Sequence, residues 1–306
     1  MKKNLFRTCI GLAVGGSLLI TSTIMSMASG PTGYELLKSA VKNSDKIENA
    51  TFIMSGTLTD NDKEFMNVNS TLKIESDQLI SGAISVDTDK IDKSYTFFGS
   101  QNNMVFKDDD SKVYNKVNSN KKENGRKIKK RAHSSENYNT PQMDAICENI
   151  VDTLVGNLKN EVVSEDIGDG QKLISINLDK DEIPAIFNML LNVKADVECD
   201  EEYNNHDKMQ KILGINPKDF KAPELTNNVQ AEKIDVNIVV DKDNIINEMD
   251  IEIEVTGNDD ENQLHNQKLT LSFDVSGINS TSVDTIDLNG QKVKEISSED
   301  FNLTRE

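Results

Sequence analysis

Residues 141–193 read PQMDAICENIVDTLVGNLKNEVVSEDIGDGQKLISINLDKDEIPAIFNMLLNV, and this stretch decides the fold expected from the sequence. It runs helix, two short strands, helix, and it parts two β-rich arms. Met143, Ile146, Ile150, Leu154 and Leu158, with Val151 beside them, recur at steps of three and four and make one apolar stripe. Asp144, Glu148, Asp152 and Asn157 fall largely on the other side. Thr140 is placed to cap this helix and Pro141 to open it, because proline's missing N–H costs nothing in the first turn. Ile183, Ile186, Phe187 and Leu190 repeat the stripe in the second helix, with Asp181 as its cap and Pro184 within the first turn. Between the helices, 161–167 and 171–178 form a hairpin around Gly168-Asp169-Gly170. Helices with one apolar face each need a surface to cover, and the arms supply it.

Upstream, 33–47 reads as a helix. Tyr34, Leu37 and Val41 make one row, Leu36, Ala40 and Ile47 the next, and Lys38 and Lys42 point away. The period then changes from 3.6 to 2. Segments 51–58, 68–75, 79–87, 94–98, 103–107 and 111–117 follow as about six antiparallel strands, with turn signals at 99–102 and 108–110. Downstream, 196–228 is acidic and irregular, with a short helix at 207–213 ending at Gly214. Period 2 resumes at Ile234, Val236, Ile238 and Val240, continues through 245–255 and 269–275, and leaves a polar tail with an edge strand at 283–288. The arms share a faint repeat. Residues 72–80 match 238–246 in type, each a strand end, an acidic turn holding Asp77 or Asp243, and a partner strand. Turn chemistry alone selects similar residues, so chance stands beside common origin. The fold class expected is α+β: a large curved antiparallel sheet, a half-barrel-like meander, with helices covering its concave face. A single domain spans 29–290, interrupted by a basic loop at 118–139 and followed by a polar tail at 291–306.

The first 28 residues read as a secretory signal. Lys2, Lys3 and Arg7 precede a charge-free run from Ile10 to Met25, and Ser26-Met27-Ala28 presents small residues where a signal peptidase reads, so the mature chain begins at Ser29. The alternative is an uncleaved membrane anchor, since the apolar run is close to the roughly 17 residues at which spanning begins. Phe6-Arg7-Thr8 before Cys9 lacks a lipoprotein pattern. The location expected is therefore secreted or at the cell envelope. A net charge of −18 argues against nucleic acid, whose phosphates would be repelled. Against that balance, Lys121, Lys122, Arg126, Lys127, Lys129, Lys130 and Arg131 crowd one short run. Lys127, Lys129, Lys130 and Arg131 are the candidates for touching anionic lipid or cell-envelope polymer, with a solvated linker as the plainer reading.

No catalytic constellation is present. His133, His206 and His265 sit in polar stretches where exposure is expected, and no Gly-x-Ser-x-Gly or Cys–His pattern accompanies them. Glu198, Cys199, Asp200, Glu201, Glu202 and His206 match no closed zinc spacing. Asp241-Lys242-Asp243-Asn244 with Glu252 has part of a calcium loop, but Ile245 fills a ligand position and the glycine is missing, so a hairpin is expected. Cys147 lies near the apolar stripe, where a buried small hydrophobe is the usual role. A disulfide to Cys199 stays open, because sequence alone does not place two thiols within bonding distance. Neither a cofactor nor a metal is expected.

Helix, meander, helix, hairpin, helix, meander, in that order over most of 33–290, resembles the bacterial lipoprotein-carrier fold of the LolA and LppX type. Residues 34–42 and 154–160 are also similar to exported Gram-positive proteins of this kind. The resemblance implies an antiparallel half-barrel plugged by helices, with a cavity for an acyl chain or other apolar ligand. No ligand residue of that family matches a position here. The two apolar stripes put Ile150, Leu154, Ile186, Phe187 and Leu190 at such a cavity. The other expectation, of a different class, is a structural or interaction protein with a filled core.

Overall fold

The computed structural model describes residues 33–76, 79–100, 103–118, 161–192 and 222–296. Its plan follows from how long the alternating runs are. β1 (Ala50–Asp60), β2 (Lys63–Ser76), β3 (Leu79–Thr88), β4 (Asp92–Ser100), β5 (Asn103–Asp108) and β6 (Val113–Asn118) form the first meander. β7 (Val162–Gly168) and β8 (Gln171–Asp179) form the central hairpin, and β9 (Asn227–Val240), β10 (Ile246–Asn258) and β11 (Leu264–Ser276) the second meander. A short β12 (Val293–Ile296) closes the described chain. All twelve lie in one sheet, ordered β12-β6-β5-β4-β3-β2-β1-β11-β10-β9-β8-β7. Every pairing is antiparallel except that of β12 with β6, so the sheet is mixed.

This corrects the expected architecture. The α+β half-barrel with helices over its concave face is overturned by a sheet that dominates the described chain. Described helix is limited to α1 (Gly33–Asn43), one 3-10 turn at Ser44–Lys46, and the eight-residue α2 (Ala185–Asn192). The physical reason lies in the joint between the arms. β1 runs against β11 from Thr51 opposite Ser276 to Asp60 opposite Gln267, so the two meanders complete one another's edges. The stretch that looked central, 141–158, lies outside the described residues.

Along the inner face, strand neighbours stack apolar side chains in register. Phe52 stands between Leu72 and Val275, Met249 between Ile238 and Phe273, and Ile176 opposite Val236. Phe52, Ile174 and Val240 are fully buried. Leu36, Leu37 and Ala40 of α1, then Ile47, join this core, as the two rows read from the sequence require. Ile183, which was expected in the stripe of this helix but precedes α2, and Phe187 within α2 also join it. Asp179 N–H donates to the Glu182 carboxylate and Asn188 accepts from Ala231 N–H, tying both ends of that turn-and-helix to the sheet.

The hairpin turns follow local chemistry. Asn61 and Asp62 take positive φ (49° and 65°), the two-residue geometry that suits strand twist. Gly168, Asp169 and Gly170 do so too, in the hairpin turn expected at these residues. The faint repeat falls on equivalent hairpins: Ile74 pairs with Ile80 in β2–β3, and Val240 with Ile246 in β9–β10. The four strands β4-β3-β2-β1 and the four β11-β10-β9-β8 lie side by side in the same sense, one displaced along the sheet from the other.

Gly82 shows how closely the inner face is built. A Cβ there would lie 2.1 Å from the Thr71 carbonyl oxygen and 2.6 Å from the Phe97 ring, which covers the glycine from the next strand. Gly82→Ala is expected to cost about 1–3 kcal/mol through forced displacement. Urea unfolding checks this, and a wild-type midpoint for the variant would count against so tight a fit.

The chain after β11 does not form the edge strand expected at 283–288. It crosses the outer face instead. Thr281 meets Thr51, Val283 N–H donates to Glu75, and Asp284 bonds both Ser81 and Lys73. Only then does β12 add to β6.

Candidate functional site

The inner face continues past the core as a second apolar field. Leu58 lies opposite Met66 on one side and Leu269 on the other. Val68 lies opposite Val86, Ile84 opposite Tyr95, and Phe97 between Gly82 and Phe106. Alternation puts all of them on the face of Phe52 and Leu72, because residues two apart share a side. Val86 and Tyr95 are buried, whereas Leu58, Met66, Val68, Ile84, Phe97, Phe106 and Leu269 are only half-buried. Burial raises the Tyr95 hydroxyl above the ordinary tyrosine range, and Asp108 adds to the effect.

The outer face is its opposite in chemistry. One transverse row runs Ser175, Asn237, Asp250, Ser272, Ser55, Asn69, Ser85, Ser94 across eight neighbouring strands. Beside it, Lys233 pairs with Asp235 at 2.5 Å and Lys268 with Glu252 at 2.7 Å. The Lys268 ammonium holds the Glu252 carboxyl below its usual range. Along this row the outer face is polar, whereas the apolar contacts of the same strands gather on the inner face.

Of the residues the sequence put forward, Ile150 and Leu154 lie outside the described residues. So do Lys127, Lys129, Lys130 and Arg131, the cleavage pair Ala28 and Ser29, and the side chains of Ile186 and Leu190. Phe187 is half-buried against the core, where it acts as cover. Leu58, Met66, Val68, Phe97 and Phe106 were missed as a group. Their alternation was legible, but their meeting on one side depends on strand register across five strands.

Two turns complete the picture. Asp241 accepts from the N–H groups of Asp243 and Ile245, which makes the calcium-like run a hairpin turn as expected. At the opposite end of β10, His265 departs from the expected exposed histidine: it is 9% exposed. Its Nδ1 lies 2.9 and 3.0 Å from the two oxygens of Asp60, and its Nε2 lies 3.2 Å from an oxygen of Asp259. The hydrogen bond to Asp60, followed by that to Asp259, raises the ring's pKa above its ordinary value. Asp259 also accepts from Gln263 and Glu261 N–H, and the Gln263 bond does most to hold its carboxyl low.

No family model matches the chain, and no curated protein is significantly similar to it. Among the described residues, no group of three or more His, Cys, Asp or Glu side chains is placed to hold a metal ion. No described helix is long and apolar enough to cross a membrane.

Proposed function

We propose that this is an exported, non-enzymatic protein that holds an acyl chain or another apolar ligand against the inner face of its sheet. One observation carries the reading: the half-buried field from Leu269 and Leu58 through Val68 to Phe97 and Phe106, continuous with a fully buried core. Contiguous apolar surface of this kind marks contact sites. The amino-terminal run of Lys2, Lys3 and Arg7 before a charge-free apolar stretch, read from the sequence as a secretory signal, supports work outside the cytoplasmic membrane. The fully buried Phe52, Ile174, Ile238 and Met249 favour the other reading, a structural protein with a filled interior.

Mass spectrometry of organic extracts from natively purified protein separates the two. A stoichiometric lipid or other apolar compound is expected from the parent. Met66→Lys with Phe106→Lys should lose it while keeping a cooperative melt, since neither residue belongs to the main core. An extract without any such compound, together with no uptake of a fluorescent fatty acid, would leave the structural reading.

A further inference from the structure

We propose that His265 is a proton-operated clasp that ties the β1–β2 turn to the β10–β11 turn at one end of the sheet. Asp60 ends β1, Asp259 stands in the second turn, and the imidazole lies between them at hydrogen-bond distance from both. Ionised carboxylates only accept hydrogen bonds, so two N–H donors are needed, and only the imidazolium has them. The neutral ring keeps one proton and turns a lone pair towards the other carboxylate. One arm of the clasp is then lost.

The surroundings make that loss consequential. The first turn also carries Asp62, Lys63 and Glu64, and the second Asp260 and Glu261, all exposed. Glu224 comes from the segment that packs beside Gly257, the residue opposite His265. Lys63 lies in the same turn, and Lys268, opposite Thr59, is engaged with Glu252 and Glu254, so deprotonating His265 leaves carboxylates facing one another. Beyond the ring, the turns are linked by Asn61 N–H to the Asn266 carbonyl at 2.8 Å and Asn266 N–H to the Asn61 side chain at 3.0 Å. Those two bonds lie at the end of the β1–β11 ladder, whose last pair is Asp60 with Gln267. They are the first to fray when the clasp opens. Because the folded ring binds its proton more tightly than the unfolded one, the stabilisation is fully present below about pH 6.5. It disappears as pH rises through the higher folded value.

NMR on the mature chain tests this. The His265 ring should titrate above about pH 6.5, the unperturbed value. Over the same pH interval, the Asn61 and Asn266 amides should exchange faster than the base-catalysed trend followed by β8 amides. His265→Gln has one amide donor face and one acceptor face, and should abolish the step, with both amides in the fast regime throughout. Asp259→Asn removes one carboxylate without disturbing the ladder, and should move the ring's titration down towards the ordinary value. A ring that titrates at or below the ordinary value overturns the clasp. So does turn exchange that ignores the titration, or an Asp259→Asn variant that titrates like the parent.

Discussion

Phe52→Ala should destabilise the protein by about 3–5 kcal/mol, the range for removing a large aromatic side chain from a core. Phe52 is fully buried on β1, between Leu72 and Val275, with the Phe273 ring 5.6 Å away, centroid to centroid, at a 32° tilt. Such ring pairs add about 0.5–1.5 kcal/mol beyond their area. Because Phe52 and Phe273 come from different arms, the change strikes the seam of the sheet. Urea titration followed by far-UV circular dichroism should show an earlier midpoint with an unchanged slope. A loss under about 1 kcal/mol would mean that the seam relaxes to fill the space.

Ile238→Ala should cost about 2–5 kcal/mol from the other arm. Ile238 is 1% exposed, opposite Met249 on one side and Ile174 on the other. Its core includes Phe52 and the α1 residues Leu36, Leu37 and Ala40. The two substitutions should therefore shift one and the same transition, since a shared core melts as a unit. Two separate transitions, each answering to one variant, would show instead that the meanders are independent domains that meet only at the β1–β11 edge.

The sequence disclosed elements better than assembly. The rows Leu36–Ala40 and Leu37–Val41 foretold which side of α1 is buried, and Gly168-Asp169-Gly170 between two strand runs foretold a hairpin. Strand alternation placed Ile234, Val236, Ile238 and Val240 on the buried side. What stayed hidden depends on partners distant in the chain. His265 is surrounded by polar residues locally, and Asp60 is 205 positions away. β12 has four residues, two of them charged, and exists as a strand because β6 offers an edge. The helical stripe at 143–158 was the clearest pattern, yet the organising contact is the pairing of β1 with β11, which no local period encodes.

That pairing also sets an order of events in synthesis. β1 is complete once Asp60 has been made, but its partner arrives only with residues 264–276. At elongation rates of about 5–20 residues per second, the interval is on the order of ten seconds or more. Throughout it, the first meander has one side of β1 unpaired, with Phe52 lacking both Phe273 and Val275. An open strand edge beside unburied apolar surface is a template for wrong partners. The newborn chain is therefore most prone to aggregate before its last long strand emerges. A holding chaperone that shields β1 should raise the yield of folded protein more than one that acts after release.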